Sequence, residues 1–500
     1  MSTTLRYAAS SRPAPRARGW ARHAGAASAV LLWVGVSMCL GGLTLGSPIM
    51  LAWTGALLGA GLALRDFART DRGAISPITL YSVSAAVIGV ANAVGLAAAE
   101  TEKRPLYFLY AIDEHLFLAM QIMLAGGVLP VLAFWAVSRS DGARVLASLL
   151  PRIQGEVRER NLTANAIALA ALVFVVRFTV PLDALGTIGS VFLLLPHFMV
   201  FILARIGAER GLRNITVVAL GLALAEAVRA SLFSYLRSEM LLPLLAFVFG
   251  TLLGRRSLEP LRWKVFYPIY GALVLFIIYF GAFGQVRGET AGGLERIQAV
   301  QEFQEVDAPD QAQPRQGQTV MSRLSTFNQL TQIRRIVEED GFLEGETMEY
   351  LAFAFVPRVI WPEKPVIAKG QWFAGRIGQG FPTADGGFSN SINMTIQGEL
   401  YLNFGWLGVV VGCVLFGVLL ALLWMRAEFW SSSSNGLGGA FGFYLLWVGF
   451  GMGADFQILV TIIAVYGVFL LATWGLRLAG GTSNHAHARR PLPPRDTVTS

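Results

Sequence analysis

Long apolar stretches recur along this chain of 500 residues, and they constrain its fold more than any other feature. A helix of roughly 20 apolar residues crosses a bilayer core about 30 Å thick. Continuous runs of that length exclude a membrane β-barrel, whose strands alternate over about ten residues. Twelve segments are suited to span as helices: 26–44, 48–64, 77–98, 114–137, 162–180, 185–206, 215–235, 239–254, 265–284, 398–424, 437–454 and 456–475. The sequence predicts an all-α integral membrane protein with about twelve transmembrane helices.

The composition excludes a soluble enzyme. Hydrophobic residues make up 54% of the chain and charged residues only 14%, whereas soluble domains carry about 25% charged residues. The net charge of +8 would also suit a nucleic-acid-binding protein, but the basic residues cluster in short loops between apolar segments, which is typical of membrane topology. No nucleic-acid partner is expected. Cys39 and Cys413 both lie in apolar spans, so no disulfide framework or zinc site is implied. No metal or other cofactor is expected.

The distribution of lysine and arginine predicts the orientation in the lipid bilayer. Most of the 40 basic residues fall on one side when the N-terminus is cytoplasmic, as the positive-inside rule requires. Both termini are then cytoplasmic. The expected organisation is a disordered basic N-terminus (1–23), transmembrane helices one to nine (24–284), one large extracytoplasmic loop region with short helices (285–397), helices ten to twelve (398–476) and a disordered cytoplasmic tail (477–500).

The large loop region carries its own helical pattern. Apolar residues recur at every third position in its second half and predict a helix within 321–356; they are Leu324, Phe327, Leu330, Ile333 and Ile336. Gly341 and Gly345 interrupt that pattern before a second short amphipathic piece, Met348–Val356.

A segment with three prolines in nine residues follows, PRVIWPEKP at 357–365. The prolines stiffen the backbone and prevent a helix, which would hold Arg358, Trp361 and Lys364 in a fixed spatial relation. An arginine fork matches phosphate oxygens, and a tryptophan suits a headgroup boundary or the face of a sugar. The same residues also fit an interfacial loop in which Arg358 and Trp361 only anchor the chain at the headgroups.

The segment FVPRVIWPEKP, followed about 35 residues later by GELYLNFGWLG, resembles the bacterial oligosaccharide repeat-unit polymerases, the O-antigen polymerase (Wzy-type) family. SYLRSEMLLPLLAFVFG, RRSLEPLRWK and FGQVRGE also fit the layout of that family, and the resemblance covers roughly residues 215–475. It implies a protein of the bacterial inner membrane that polymerises polyprenyl-diphosphate-linked oligosaccharides at the outer face, into O-antigen or exopolysaccharide. It leaves open whether a chain-length regulator is a partner.

The implied reaction transfers the growing chain from its diphosphate to a sugar hydroxyl, so it needs cations beside the leaving diphosphate. Arg237, Arg287 and Arg358 are the predicted catalytic cations. Lys364, Arg376 and Arg177 are predicted to bind substrate, although Arg177 could also snorkel to the membrane surface. Arg229 follows Glu226 by three residues, which favours an ion pair within the helix.

The reaction also needs a base near the acceptor hydroxyl. Glu399, at the start of the tenth predicted span, is the leading candidate, with Glu239 and Asp455 as alternatives. Glu399 could instead only stabilise the N-terminus of its helix, a contribution of about 0.3–1 kcal/mol. The remaining predicted substrate-binding residues are Trp361, Asn390, Asn393, Tyr401 and Asn403.

Three rival functions stay open. A metal-dependent membrane glycosyltransferase would need an acidic pair, for which Glu100, Glu102, Asp113 and Glu114 are available, but the chain has no Asp-x-Asp motif. A transporter or flippase of lipid-linked glycans would place polar groups near the bilayer midplane, whereas here they gather near the predicted outer face. A ligase that passes finished glycan to another acceptor is chemically almost the same protein as a polymerase.

Overall fold

The computed structural model describes residues 15–69, 75–101, 112–153, 187–233, 237–254, 325–356, 360–365, 369–379, 391–427 and 436–479, with a few isolated positions between 164 and 176. Those parts of the chain consist of helices and connecting turns, without strands. The helices are α1 (Pro15–Leu45), α2 (Pro48–Arg69), α3 (Pro77–Thr101), α4 (Leu116–Arg139), α5 (Asp141–Leu149), α6 (Thr187–Arg210), α7 (Arg213–Phe233), α8 (Arg237–Gly254), α9 (Phe327–Asp340), α10 (Tyr350–Phe353), α11 (Lys369–Arg376), α12 (Ile396–Ala427), α13 (Gly436–Gly449) and α14 (Ile458–Ala479).

Seven of the described helices are long and apolar enough to cross a membrane. They cover His23–Leu45, Pro48–Ala68, Pro77–Ala98, Asp113–Arg139, Val191–Arg210, Ile396–Ala427 and Ile458–Gly475. The chain is therefore a multi-pass, all-helical membrane protein. The predicted total of about twelve spans is not confirmed. The apolar helices Leu241–Gly254 and Gly436–Gly449 are shorter, and α7, which covers most of the predicted span 215–235, is not among the seven. The predicted span 265–284 lies outside the described residues, as does much of 162–180.

Helices α1 to α4 run alternately up and down. Ser28 on α1 donates a hydrogen bond to the carbonyl of Gly61 on α2 (2.7 Å), and a Cβ at Gly89 on α3 would collide with the backbone of Ala56 on α2. Small residues of this kind let membrane helices approach closely. Gly46, between α1 and α2, and Ile112, before α4, lie on the same side of this bundle. We call that side the distal face and the opposite side the proximal face.

A second group of helices comprises α6, α7 and α8. Gly250 on α8 packs closely against α6, where a Cβ would lie 2.6 Å from the carbonyl oxygen of Phe201. The predicted ion pair within α7 is confirmed, since Arg229 and Glu226 are buried and 2.7 Å apart. Helix α13 joins this group to the first, because its Phe443 stacks on Phe201 with ring centres 4.9 Å apart and its end at Gly449 meets the start of α3.

Helix α12 is a hairpin of two helical arms, which corrects the prediction of one continuous span at 398–424. Gly405 has φ 61° and ψ −149°, which is not a helical conformation. The side chain of Leu400 reaches the position that a Cβ of Gly412 would occupy. In a straight helix these residues would be about 18 Å apart along the axis, so the chain reverses at Gly405. The short arm is 396–404; the long arm, 406–427, is long enough to span the bilayer alone.

Helix α9, which the sequence places in the extracytoplasmic loop region, packs between α3 and α4 on one side and the short arm of α12 on the other. At its start, the backbone N–H of Thr326 donates to Asn92 on α3 (2.8 Å); near its end, Glu338 pairs with His115 at the distal start of α4 (3.1 Å). The predicted helical stripe is confirmed over this helix: Phe327, Leu330, Ile333 and Ile336 are all 0% exposed. Ile333 and Leu330 pack against Gly398 of the short arm.

Candidate functional site

A buried ion pair lies where the short arm of α12 meets α11. Glu399 is 0% exposed, and the ammonium nitrogen Nζ of Lys369 is 2.8 Å from its Oε1 and 2.9 Å from its Oε2. The backbone N–H of Phe456 donates to Oε2 (3.1 Å), and the hydroxyl of Thr347 donates to Oε1 (3.3 Å). Four donor contacts therefore occupy the carboxylate. The sequence places Glu399 at the membrane boundary as a base; in the structure it is enclosed and fully hydrogen-bonded.

Asn403, one helical turn beyond Glu399, ties the short arm to the chain that follows α9. Its amide nitrogen donates to the carbonyl of Glu399 (2.8 Å) and to the hydroxyl of Thr347 (2.7 Å), and its amide oxygen accepts from the backbone N–H of Gly345 (3.0 Å). Thr347 is thereby held against Glu399. Asn403, predicted as a substrate-binding residue, thus has its side chain engaged within the protein.

Tyr350, the first residue of α10, completes the surroundings of the ion pair. Nζ of Lys369 lies 4.1 Å from the centre of the Tyr350 ring, within the range of a cation–π contact. The ring is buried, with 4% exposure, and its hydroxyl has no hydrogen-bond partner among the described residues. Burial, together with the negative charges of Glu399 and Asp455, raises the pKa of Tyr350. Its phenol is therefore protonated at neutral pH. It can form hydrogen bonds only as a neutral hydroxyl group, either as donor or as acceptor.

An aromatic rim surrounds the tip of the α12 hairpin. Tyr401 contacts the rings of Phe342 and Trp406 edge-on, with centres 6.0 and 6.1 Å away. Trp406 is 40% exposed and Leu407 still more so. Tryptophan and tyrosine concentrate where a bilayer meets water, so this rim indicates the depth of the membrane boundary near the site.

The cations of α9 and α11 at the distal end are paired with acids. Arg376, a predicted substrate-binding residue, contacts Asp340 and lies 3.6 Å from Glu339. Arg334 pairs with Glu338 (2.9 Å) and donates to the hydroxyl of Tyr401 (3.4 Å). A diphosphate would have to compete with these carboxylates for either guanidinium.

Lys364 and Trp361 fold the proline-rich segment back onto α10. Nζ of Lys364 donates to the carbonyls of Ala354 (3.0 Å) and Val356 (2.9 Å), and Trp361 contacts the ring of Phe353 edge-on, with centres 5.9 Å apart. Trp361 remains 41% exposed. Lys364 thus closes a loop, whereas Trp361 is also available to a membrane or a ligand.

Other predicted site residues are outside this cluster or outside the described part of the chain. Asn393, three residues before the short arm begins, is exposed and accepts a hydrogen bond from the backbone N–H of Thr395 (2.8 Å). Arg237 begins α8, but its side chain is not among those described. Residues that lie outside the described ranges are Arg177, Arg287, Arg358 and Asn390.

Three residues of the cluster, Lys369, Thr347 and Tyr350, have no role in the sequence prediction. Lys369 stands alone in a stretch of uncharged residues, VIAKGQW, and this isolation was the only available signal. Nothing in the sequence places it beside Glu399, because the reversal at Gly405 and the position of α11 bring the two together.

Comparisons with protein-family models, curated proteins and solved structures give no match for this chain.

Proposed function

We propose that this protein polymerises polyprenyl-diphosphate-linked oligosaccharide units at the outer face of the bacterial inner membrane. The observation that carries the proposal is the buried Glu399–Lys369 pair at the foot of a re-entrant arm. Ionisable residues at membrane depth are costly, and they commonly serve function. A site lined by carboxylate, ammonium and hydroxyl groups, below an aromatic rim at the membrane boundary, suits a substrate with a sugar head and a lipid tail.

In this proposal, Glu399 positions Lys369 and Thr347 for the sugar, since its own oxygens are occupied. The predicted cations Arg237, Arg287 and Arg358 would stabilise the diphosphate as it leaves with negative charge. The resemblance to the Wzy-type family at PRVIWPEKP supports the choice of substrate.

A transporter of the same lipid-linked glycans is the second candidate. The reversal at Gly405 interrupts α12, and the short arm of this interrupted helix carries Glu399, buried against Lys369. Transporters bind substrate at interrupted helices of this kind. The sequence does not predict this interruption, and because of it we retain a transporter as the second candidate function.

Deleting the gene and analysing the surface glycan distinguishes these functions. We expect loss of polymer and accumulation of single lipid-linked units at the outer leaflet, both reversed by the wild-type gene. Units trapped on the cytoplasmic leaflet would indicate a flippase, and undecorated acceptor with intact lipid-linked polymer would indicate a ligase. Either result would overturn the polymerase proposal.

Complementation with Arg358→Ala or Arg237→Ala tests the assigned diphosphate contact. We expect no long-chain product from either variant, with normal amounts of protein in the membrane. Arg144→Ala is the matched control, because Arg144 is an exposed arginine paired with Asp141 on α5, and it should restore polymer fully. An unchanged chain-length distribution for Arg358→Ala and Arg237→Ala would remove the role assigned to them.

A further inference from the structure

Asp455 lies beside the ion pair with an oxygen available. Its neighbour Phe456 donates its backbone N–H to Glu399 (3.1 Å), which fixes the position of this turn before α14. One oxygen of Asp455, Oδ1, accepts from the backbone N–H of Gln457 (3.1 Å). Among the described residues, no group donates to the other oxygen, Oδ2, and the residue is only partly buried. Asp455 thus has the free acceptor capacity that Glu399 lacks.

Tyr350 supplies a second, independent sign of a binding site here. Within the part of the chain that the structure describes, its hydroxyl is buried without a hydrogen-bond partner, and leaving such a group unpaired is unfavourable. Its ring is fixed under Nζ of Lys369 at 4.1 Å, and Lys369 is itself fixed by Glu399. A rigidly held, unpaired phenol near two carboxylates is suited to a ligand that brings its own hydroxyl groups.

We propose that Asp455 is the general base that accepts the proton of the acceptor-sugar hydroxyl, and that the hydroxyl of Tyr350 donates a hydrogen bond to a second oxygen of that sugar. This inference rests on the polymerase function proposed above and assigns its acceptor subsite. The site has carboxylates, a phenol and one ammonium already bound to Glu399, so it favours a neutral polyhydroxyl ligand over the diphosphate.

The proposed step balances without a further reactant. The acceptor oxygen loses its proton to Asp455 and forms a new bond to the anomeric carbon of the growing chain. The bond from that carbon to the diphosphate oxygen breaks, and the polyprenyl diphosphate leaves with the electron pair. The proton on Asp455 then returns to water or to the released diphosphate.

The test uses the full-length protein in membranes of the deletion strain, which contain the accumulated lipid-linked units as substrate. We expect Asp455→Asn to lower the rate of polymer formation at least about 100-fold, the usual contribution of a general base. Asp455→Glu should restore part of that rate, because it returns a carboxylate. Tyr350→Phe should raise the KM for the lipid-linked unit about tenfold, with a smaller change in kcat, as expected for one lost hydrogen bond.

Asp141→Asn is the matched control, because Asp141 is an exposed carboxylate on α5, remote from the site in sequence. This variant should form polymer at the wild-type rate. If the wild type forms polymer and Asp455→Asn keeps more than about a tenth of that rate, the base assignment fails and the polymerase proposal stands. If the wild type forms no polymer, that result overturns the proposed polymerase function itself, and with it the acceptor subsite. Should Asp455→Asn not reach the membrane, an unchanged KM for Tyr350→Phe overturns the subsite.

Discussion

At the scale of single residues, the Glu399–Lys369 contact is the buried ion pair of the candidate site. The side chains of Lys369 and Glu399 are 9% and 0% exposed, so both charges have lost nearly all their water. The desolvation of such a pair can exceed its Coulombic gain, which makes it weak evidence for stability. Removing only one partner is different, because it leaves an uncompensated buried charge. The pair therefore ties α11 to the short arm, because losing either partner alone is unfavourable.

A double-mutant cycle measures this coupling. We expect Lys369→Met to destabilise the purified protein by about 3–5 kcal/mol, since it removes the cation that compensates the buried carboxyl group of Glu399. Adding Glu399→Gln should recover part of that loss, with a coupling energy within the range of about 0.5–3 kcal/mol found for contacting residues. The measurement is unfolding in detergent, followed by intrinsic fluorescence. Additive effects of the two substitutions would contradict the contact.

At the scale of the element, a single glycine decides how α12 is built. The φ of 61° and ψ of −149° at Gly405 belong to a region that is essentially confined to glycine. A Cβ there would also lie 2.9 Å from the ring of Phe342. The apolar pattern of 398–424 continues across this residue, so hydropathy alone predicts an uninterrupted span.

Replacing Gly405 by alanine should strain the hairpin. We expect Gly405→Ala to destabilise the protein by about 1–3 kcal/mol, because alanine cannot adopt this backbone conformation without strain. A lower midpoint of thermal unfolding in detergent checks this. Gly467→Ala on α14 is the control: nothing lies within 4 Å of its Cβ position, and alanine favours a helix. Equal midpoints for the two variants would show that α12 does not reverse at Gly405.

At the scale of the whole molecule, alternating helices give the protein two faces, and basic residues predict which face is cytoplasmic. The distal end of α4 carries His115 paired with Glu338 of α9, so α9 and the candidate site belong to the distal half. The positive-inside rule predicts that this half faces outward. The orientation thus determines whether the polymerisation proposed for the outer face is possible.

Cysteine labelling tests the orientation directly. In a chain with Cys39→Ala and Cys413→Ala, a membrane-impermeant maleimide should label Asp113→Cys in cells with an intact inner membrane. Ser140→Cys, at the proximal end of α4, should react only after lysis, since both native residues are exposed but on opposite faces. Ser82→Cys, at a position that is 0% exposed, should stay unlabelled in both. The reverse labelling pattern would show that the site faces the cytoplasm, and it would exclude polymerisation at the outer face.

The sequence by itself determined that the chain is helical and crosses a membrane several times, because span length and apolar content are local properties. It also predicted the stripe of α9 and the Glu226–Arg229 pair, which depend on helical spacing alone. Only the tertiary structure brought Lys369, Tyr350 and Asp455 to Glu399, residues that are 30, 49 and 56 positions away in the chain. Such contacts depend on the reversal at Gly405 and on the packing of α9 between the spans, and neither leaves a periodic signal in the sequence.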